Sequence, residues 1–233
     1  MNKMQKQVLI TGVTGGIGSE IAHVFLEDGH SVYGVSRSKD LPKDLEDHQN
    51  FIYQSVDISS SENVERLFGS VSVNFDLIIN CAGILKLKSL ENTNSKDWQD
   101  TIDTNLSGSF YIAKYGTEHF LERSTKGMFI FIGSRWGVSG SPKDPAYAAS
   151  KAGLRGMVKS LQSDGLNTGI RYILLSPGSV LTEMSLSVDK DVQEDILHPK
   201  DIADLTLHLS GTPSRVIFDE ISIKAFPYDF INA

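Results

Sequence analysis

Short apolar runs alternate with longer amphipathic stretches along this chain. The runs at 8–10, 31–36, 51–56, 76–80, 127–132 and 170–175 predict β-strands, and a last strand pattern lies within 216–224. They are dense in Val, Ile, Leu and Phe and carry few alternating polar residues, as strands covered on both faces do. Between them, 17–27, 62–68, 96–121, 146–164 and 201–209 read as helices. In the first of these, Ile21, Val24, Phe25 and Leu26 fall near helical spacing, and Gly29 follows as a helix-ending glycine. Strands separated by helices imply βαβ units. The expected fold class is therefore α/β, a doubly wound parallel sheet of about seven strands with helices on both faces.

No Pro/Gly/Ser-rich linker and no internal repeat divides the 233 residues, so one domain over 1–233 is expected. The least regular segment, 181–199, is acidic and aperiodic, either a substrate lid or a long surface loop. Lys plus Arg is 22 against 29 Asp plus Glu, a net charge of −7 with no basic cluster. That balance argues against nucleic-acid binding, which needs cations to neutralise phosphates. Cys81 is the only cysteine, which excludes an intrachain disulfide and multi-thiolate zinc sites. We read it as a small core residue rather than a redox thiol. The six histidines lack metal-ligand spacing, so no metal is expected. No apolar run reaches the roughly 18 residues of a membrane span, and the apolar stretch near the N-terminus is too short for a signal peptide. A cytoplasmic protein with no membrane partner is the expectation.

Candidate chemistry starts after the first strand, with Thr11-Gly12-Val13-Thr14-Gly15-Gly16-Ile17-Gly18. Free N–H groups and the helix dipole at the start of a helix favour a pyrophosphate, and glycines let the backbone approach it. Gly12, Gly16 and Gly18 fit one nucleotide-binding spacing; Gly12, Gly15 and Gly18 fit another. At the end of the second strand, where an NAD site places an acid, stand Ser36 and Arg37. Serine does not repel a 2′-phosphate and arginine grips one, so NADP(H) is expected over NAD(H). Asp40 is a weaker candidate for the ribose.

Tyr147 and Lys151 are four residues apart, on one face of a helix. A nearby cation favours the phenolate, with Lys151 and the positive charge of the nicotinamide as the sources, and a tuned phenol can move a proton to or from a substrate oxygen. Ser134 ends the fifth strand and Asn80-Cys81-Ala82-Gly83 ends the fourth, on the rim where open α/β sheets bind ligands. Asn105 sits inside a helical stretch that an amide does not favour, so it caps or bends the helix or has a role.

Taken together, Thr11–Gly18, Asp57, Asn80–Gly83, Asn105, Ser134, Tyr147/Lys151 and Pro177-Gly178-Ser179-Val180-Leu181-Thr182 resemble the short-chain dehydrogenase/reductase family of the single-domain, NADP(H)-preferring type, over about residues 8 to 182. The resemblance implies a Rossmann-like fold and an oxidoreductase that moves hydride between nicotinamide and a small carbonyl or alcohol. Tyr147 would be the acid/base, Lys151 would hold the nicotinamide ribose and lower the tyrosine pKa, Ser134 would orient the substrate oxygen, and Asn105 would support a proton relay through water. Gly12, Thr14, Gly16, Ile17 and Gly18 would cradle the phosphates. Asp57 and Ile58 would approach the adenine, and Asn80, Ala82 and Gly83 the adenosine side. Pro177, Gly178, Val180 and Thr182 would meet the nicotinamide end. A homodimer or homotetramer is implied as well; Ile221 to Tyr228 lacks the family's usual glycine pair, which makes a dimer through the long helices the safer expectation. Arg135 and Trp136, where the family has small residues, are candidate substrate contacts for an anionic or planar group.

Two other functions fit parts of the pattern. A nucleotide-sugar epimerase or dehydratase that retains NAD is compatible with the Gly15 spacing, though the chain has little room for a second substrate domain. A non-catalytic NADPH sensor would need only the cofactor half of the motifs.

Overall fold

The computed structural model describes residues 5–38, 41–141, 144–186 and 196–226. Its elements run β1 (Gln7–Thr11), α1 (Gly16–Glu27), β2 (Ser31–Ser36), α2 (Lys43–Glu46), β3 (Phe51–Ser55), α3 (Ser61–Ser70), β4 (Leu77–Asn80), α4 (Ser95–Ile102), α5 (Gly108–Glu122), β5 (Met128–Ile132), α6 (Trp136–Ser139), α7 (Pro145–Thr168), β6 (Arg171–Pro177), α8 (Glu183–Leu186), α9 (Pro199–Ser210) and β7 (Glu220–Ile223). The strands form one parallel sheet in the order β3-β2-β1-β4-β5-β6-β7. The chain winds outward from β1 to β3, then returns to start again at β4 on the other side of β1. The strand order thus reverses between β1 and β4, and in such sheets the crevice beyond that switch point is the ligand site.

The pleat distributes the apolar runs to both faces. Met128, Ile130 and Ile132 of β5 join one core with Ile21 and Phe25 of α1 and Ile202 of α9. Phe129 and Phe131 point the other way, into a core with Phe120 of α5 and Leu154 and Val158 of α7. There Phe129 stacks on Tyr172 at 5.1 Å and on Phe131 at 5.7 Å. Each such buried ring contributes on the order of 2–3 kcal/mol by leaving water. This two-sided burial explains why the strands read as near-continuous apolar runs.

Two predicted elements differ from the structure. The stretch 96–121 is not one regular helix: α4 and α5 are joined through Asp103–Ser107, a π-turn in which Gly108 N–H reaches back five residues to Asp103 O. The buried Asn105 lies in its middle. The last strand is confined to Glu220–Ile223, because the residues before it turn, with Val216 N–H bonded to Pro213 O. The short helices α2, α6 and α8 carry too few turns to register as a periodic pattern. Among the described residues no helix is long and apolar enough to cross a membrane.

His119 of α5 is buried beside Phe75, Phe68 and Phe120. Its Nε2 accepts from Phe75 N–H at 3.4 Å, so the proton sits on Nδ1, which has no partner among the described residues. Burial, helped by Arg123, pushes its pKa down to about 4. The unfolded chain, with a histidine pKa of about 6.5, therefore binds more protons than the folded one between those values. Stability is expected to fall as pH drops through that window. His119→Gln keeps an acceptor for Phe75 N–H and does not titrate, so thermal melts at pH 4.5 should favour the variant by roughly 5 °C relative to the gap at pH 7.5.

Candidate active site

The turn after β1 is built so that side chains are excluded. Gly12 has φ +71°, and a Cβ there would lie 2.7 Å from Ala82 Cα. A Cβ on Gly18 would run into Gly12 O, and one on Gly16 would lie 2.9 Å from the Thr182 methyl. Gly15 meets nothing closer than 3.4 Å. Of the two possible spacings, Gly12, Gly16 and Gly18 is the one the geometry demands. No side chain caps the start of α1, so its first N–H groups are open to an anion. Ile17 packs against the core, and the Thr14 hydroxyl bonds that of Ser36 at 2.7 Å.

From the end of β2, Arg37 faces a cleft of about 430 Å³ shared with Asp57, Ser59, Ile84, Lys86 and Thr104. Asp57 Oδ1 accepts from Ser59 N–H at 3.0 Å and from its hydroxyl at 2.8 Å, fixing the carboxylate in the wall. Ile58 is buried, and a Cβ on Gly108 would press on it at 3.0 Å, so its side chain packs inward. Asp40 lies outside the described residues.

One hydroxyl ties the rims of β1 and β4 together. Thr11 Oγ1 donates to Asn80 Oδ1 at 2.9 Å and accepts from Cys81 N–H and Ala82 N–H, both at 3.1 Å. Its donor and both acceptor positions are filled. Asn80 Nδ2 continues to Ser109 Oγ at 2.6 Å, so both ends of this buried amide are tied to the scaffold. Cys81 is half-buried beside it, with its thiol pushed up to about 12 by burial. Asn105 does similar work one step further on. Its Oδ1 accepts from Ile84 N–H at 2.8 Å, and its Nδ2 donates to Ile84 O at 2.9 Å and to Ser150 Oγ at 3.1 Å.

Ser134, Tyr147 and Lys151 come together at the C-terminal end of β5. Ser134 sits close enough to the Tyr147 phenol to pull its pKa down, and its Oγ accepts from Trp136 N–H at 3.2 Å. Trp136 stands edge-on to the Tyr147 ring at 5.9 Å. Lys151 Nζ is buried, donates to Ile132 O at 2.8 Å, and lies 5.6 Å from the ring centroid. In the chain alone the phenol is not acidified; the sequence reading expects Lys151 and the positive charge of a nicotinamide to do this together. Burial pushes Tyr147 up to about 12, against the pull of Ser134, while Cys81 and Asp144 add to the rise. Burial also brings Lys151 down to about 8. Desolvation penalises both charged forms and is the largest cause of each shift.

Arg135 N–H bonds Pro177 O at 3.0 Å, and the Arg135 and Lys224 side chains both lie against Gly178. The loop beyond turns back at Val180, which bridges to Leu197, and at Thr182, whose N–H bonds Ser185 Oγ at 2.9 Å. The middle of the expected lid, 187–195, lies outside the described residues. Sequence reading gave no role to Thr11, Ser150 or Asp144. Asp144 left a readable signal, an Asp before Pro145 at a helix start; the other two are hydroxyls whose partners are distant in sequence.

The family model for short chain dehydrogenase matches residues 6–193. The chain is 30% identical over 197 residues to the 3-oxoacyl-[acyl-carrier-protein] reductase of Salmonella typhimurium, covering 82% of this chain and 80% of that one. An uncharacterised oxidoreductase of Staphylococcus saprophyticus is 28% identical, covering 94% and 97% respectively. The closed form of serine dehydrogenase complexed with NADP+ superposes with a TM-score of 0.90 at 26% identity, over 97% of this chain and 98% of that one. With the glycine turn, the reversed sheet and the Ser134–Tyr147–Lys151 cluster already in place, the chain belongs to the short-chain dehydrogenase family of oxidoreductases.

Proposed function

We propose that this protein is an NADP(H)-dependent carbonyl reductase or alcohol dehydrogenase acting on a small molecule. The observation that carries the proposal is the convergence of Ser134, Tyr147 and Lys151 on the rim that also holds the glycine turn. Bound NADP(H) supplies or takes the hydride. Ser134 holds the substrate oxygen by a hydrogen bond. In reduction the Tyr147 hydroxyl gives its proton to that oxygen; in oxidation the phenolate takes the proton from the alcohol. Lys151, fixed by Ile132 O, keeps a cation within reach of the phenol and of a ribose. Asn105 acts by holding Ile84 against α7, since its amide is fully engaged. Trp136, edge-on to the phenol, is a wall for the substrate, and Arg135 beside Gly178 favours an anionic group on it.

The cofactor preference rests on Ser36 and Arg37. The end of β2 offers the Ser36 hydroxyl and the Arg37 cation to a 2′-phosphate, and Arg37 lines the cleft that Asp57, at the end of the neighbouring β3, also lines. The side-chain-free turn and the uncapped start of α1 fit the diphosphate. The serine dehydrogenase relative binds NADP+, which agrees with this choice.

Tyr147→Phe should lower turnover by at least about 10³-fold in NADPH oxidation across a panel of ketones and aldehydes, while fluorescence titration finds its NADPH Kd within about threefold of wild type. Retained turnover would end the mechanism, and a wild-type protein that binds NADPH but turns over nothing on the panel would favour a sensor. Arg37→Ala should raise KM for NADPH by about 10–100-fold through loss of a charge-assisted contact, with KM for NADH nearly unchanged. Equal weakening for both cofactors in steady-state assays would remove Arg37 from 2′-phosphate recognition.

A further inference from the structure

We propose that Asp144 is a positioning residue for Tyr147, clamping the loop 84–87 to the first turn of α7 so that loop and phenol keep one fixed geometry. Asp144 is a carboxylate only 1% exposed, at the N-cap of α7. Its Oδ1 accepts from Tyr147 N–H at 2.9 Å. Its Oδ2 accepts from Lys86 N–H at 3.1 Å and Leu87 N–H at 2.9 Å. These partners are main-chain groups, so the charge is balanced by N–H dipoles and by the helix start rather than by an ammonium.

A simple cap would need only the first of these bonds. The second oxygen reaches 57 residues back in sequence and holds Leu87 at φ 51°, a left-handed conformation unfavourable for a leucine. A residue held in that state needs a fixed partner. The opposite side of the same peptide tells the same story. Tyr147 O accepts from Ser150 Oγ at 2.8 Å, Ser150 Oγ accepts from Asn105 Nδ2, and Asn105 grips Ile84. Tyr147 is thus tied at its N–H and at its carbonyl to the two ends of one short loop. Ile84, Leu85 and Lys86 of that loop also line the cleft of Arg37 and Asp57. The loop that walls the cofactor cleft and the residue that moves the proton form one rigid unit.

The inference rests on Tyr147 being the proton-transfer group. The side chains that act on its phenol are Ser134 after β5, Cys81 after β4, Asp144 at the start of α7 and Lys151 one turn along. Asp144 is the one carboxyl group among them. Two variants separate positioning from capping. Asp144→Asn keeps one oxygen and replaces the other with a donor that cannot accept from Lys86 and Leu87. Asp144→Ser can cap Tyr147 N–H but cannot span to the loop.

Alcohol oxidation is followed from pH 6 to 10, alongside melting temperature and NADPH titration. In Asp144→Asn the plateau kcat should fall about tenfold or more, and the rising limb should move to lower pH by roughly half a unit as a negative charge leaves the phenol. NADPH Kd should stay within about threefold in both variants. Asp144→Ser should keep the kcat defect, with a melting temperature lowered by the loop N–H groups it leaves unpaired but still well above the assay temperature. If the Ser variant recovers both stability and kcat, or if the Asn variant shows an unmoved limb and a plateau within twofold, Asp144 is a cap and the proposal fails. Should the Asn variant not fold, the kcat and limb of the Ser variant decide. Tyr147→Phe keeps the two readings apart: its inactivity with normal Asp144 variants overturns the positioning role alone, and its full activity overturns both.

Discussion

The approach of the first turn to the loop after β4 is the constraint on which the rest of the site depends. Gly12 lies so close to Ala82 that no side chain fits between them, and the Thr11 hydroxyl bonds the N–H groups of Cys81 and Ala82. These contacts bring together the two strands at which the sheet reverses. Everything downstream follows from that spacing. The start of α1 is aimed at the crevice, the loop 81–84 becomes its wall, and the Asn80–Ser109 bond draws α5 beneath them. A parallel sheet alone would supply the crevice. The Thr11 hydroxyl gives it a fixed width.

The acid/base pair shows what this enclosure costs. A phenol and an ammonium in water would titrate close to their ordinary values. Here burial drives them apart, Tyr147 up to about 12 and Lys151 down to about 8, because the interior disfavours both charges. The pair is therefore sensitive to any charge that enters the same space. A cationic group beside the phenol gains strength from the low dielectric that made ionisation costly. With NADP+ bound, the oxidised nicotinamide would be such a group, and the acidification expected from the residues is the joint effect of Lys151 and that charge. The ammonium's bond to Ile132 O keeps it oriented for that purpose.

Much of this was legible in the residues. The strand runs at 8–10, 31–36 and 127–132 fall on β1, β2 and β5, because burial on both faces leaves an unmistakable apolar signature. Ser134, Tyr147 and Lys151 were readable from their order and spacing, and the structure brings them together. Three things were not readable. The choice between Gly15 and Gly16 depends on which glycine faces Thr182, a contact made 166 residues away. The commitment of the Asn80 side chain to the scaffold depends on Ser109, on another element. The sign of the Tyr147 shift depends on burial, which four residues of spacing do not reveal. Local patterns reported which residues the site contains; their partners across the fold decide what each one does.

Asn105 shows why those partners matter. An amide in the middle of a helix competes with the main chain for hydrogen bonds, which made it look out of place in 96–121. The structure resolves the conflict by widening one turn. With i to i+5 bonding over Asp103–Ser107, the Asn105 side chain leaves the helix and takes both the N–H and the carbonyl of Ile84. A regular helix through this point would turn the amide elsewhere and leave two part-buried main-chain groups of Ile84 without these bonds, at a cost of up to about 1–3 kcal/mol each. The local irregularity of one helix is thus what satisfies the loop at the edge of the cleft. That same loop, held at its other end by Asp144, reaches the phenol. The residue least suited to its secondary structure is the one through which the cofactor wall and the proton-transfer helix are joined.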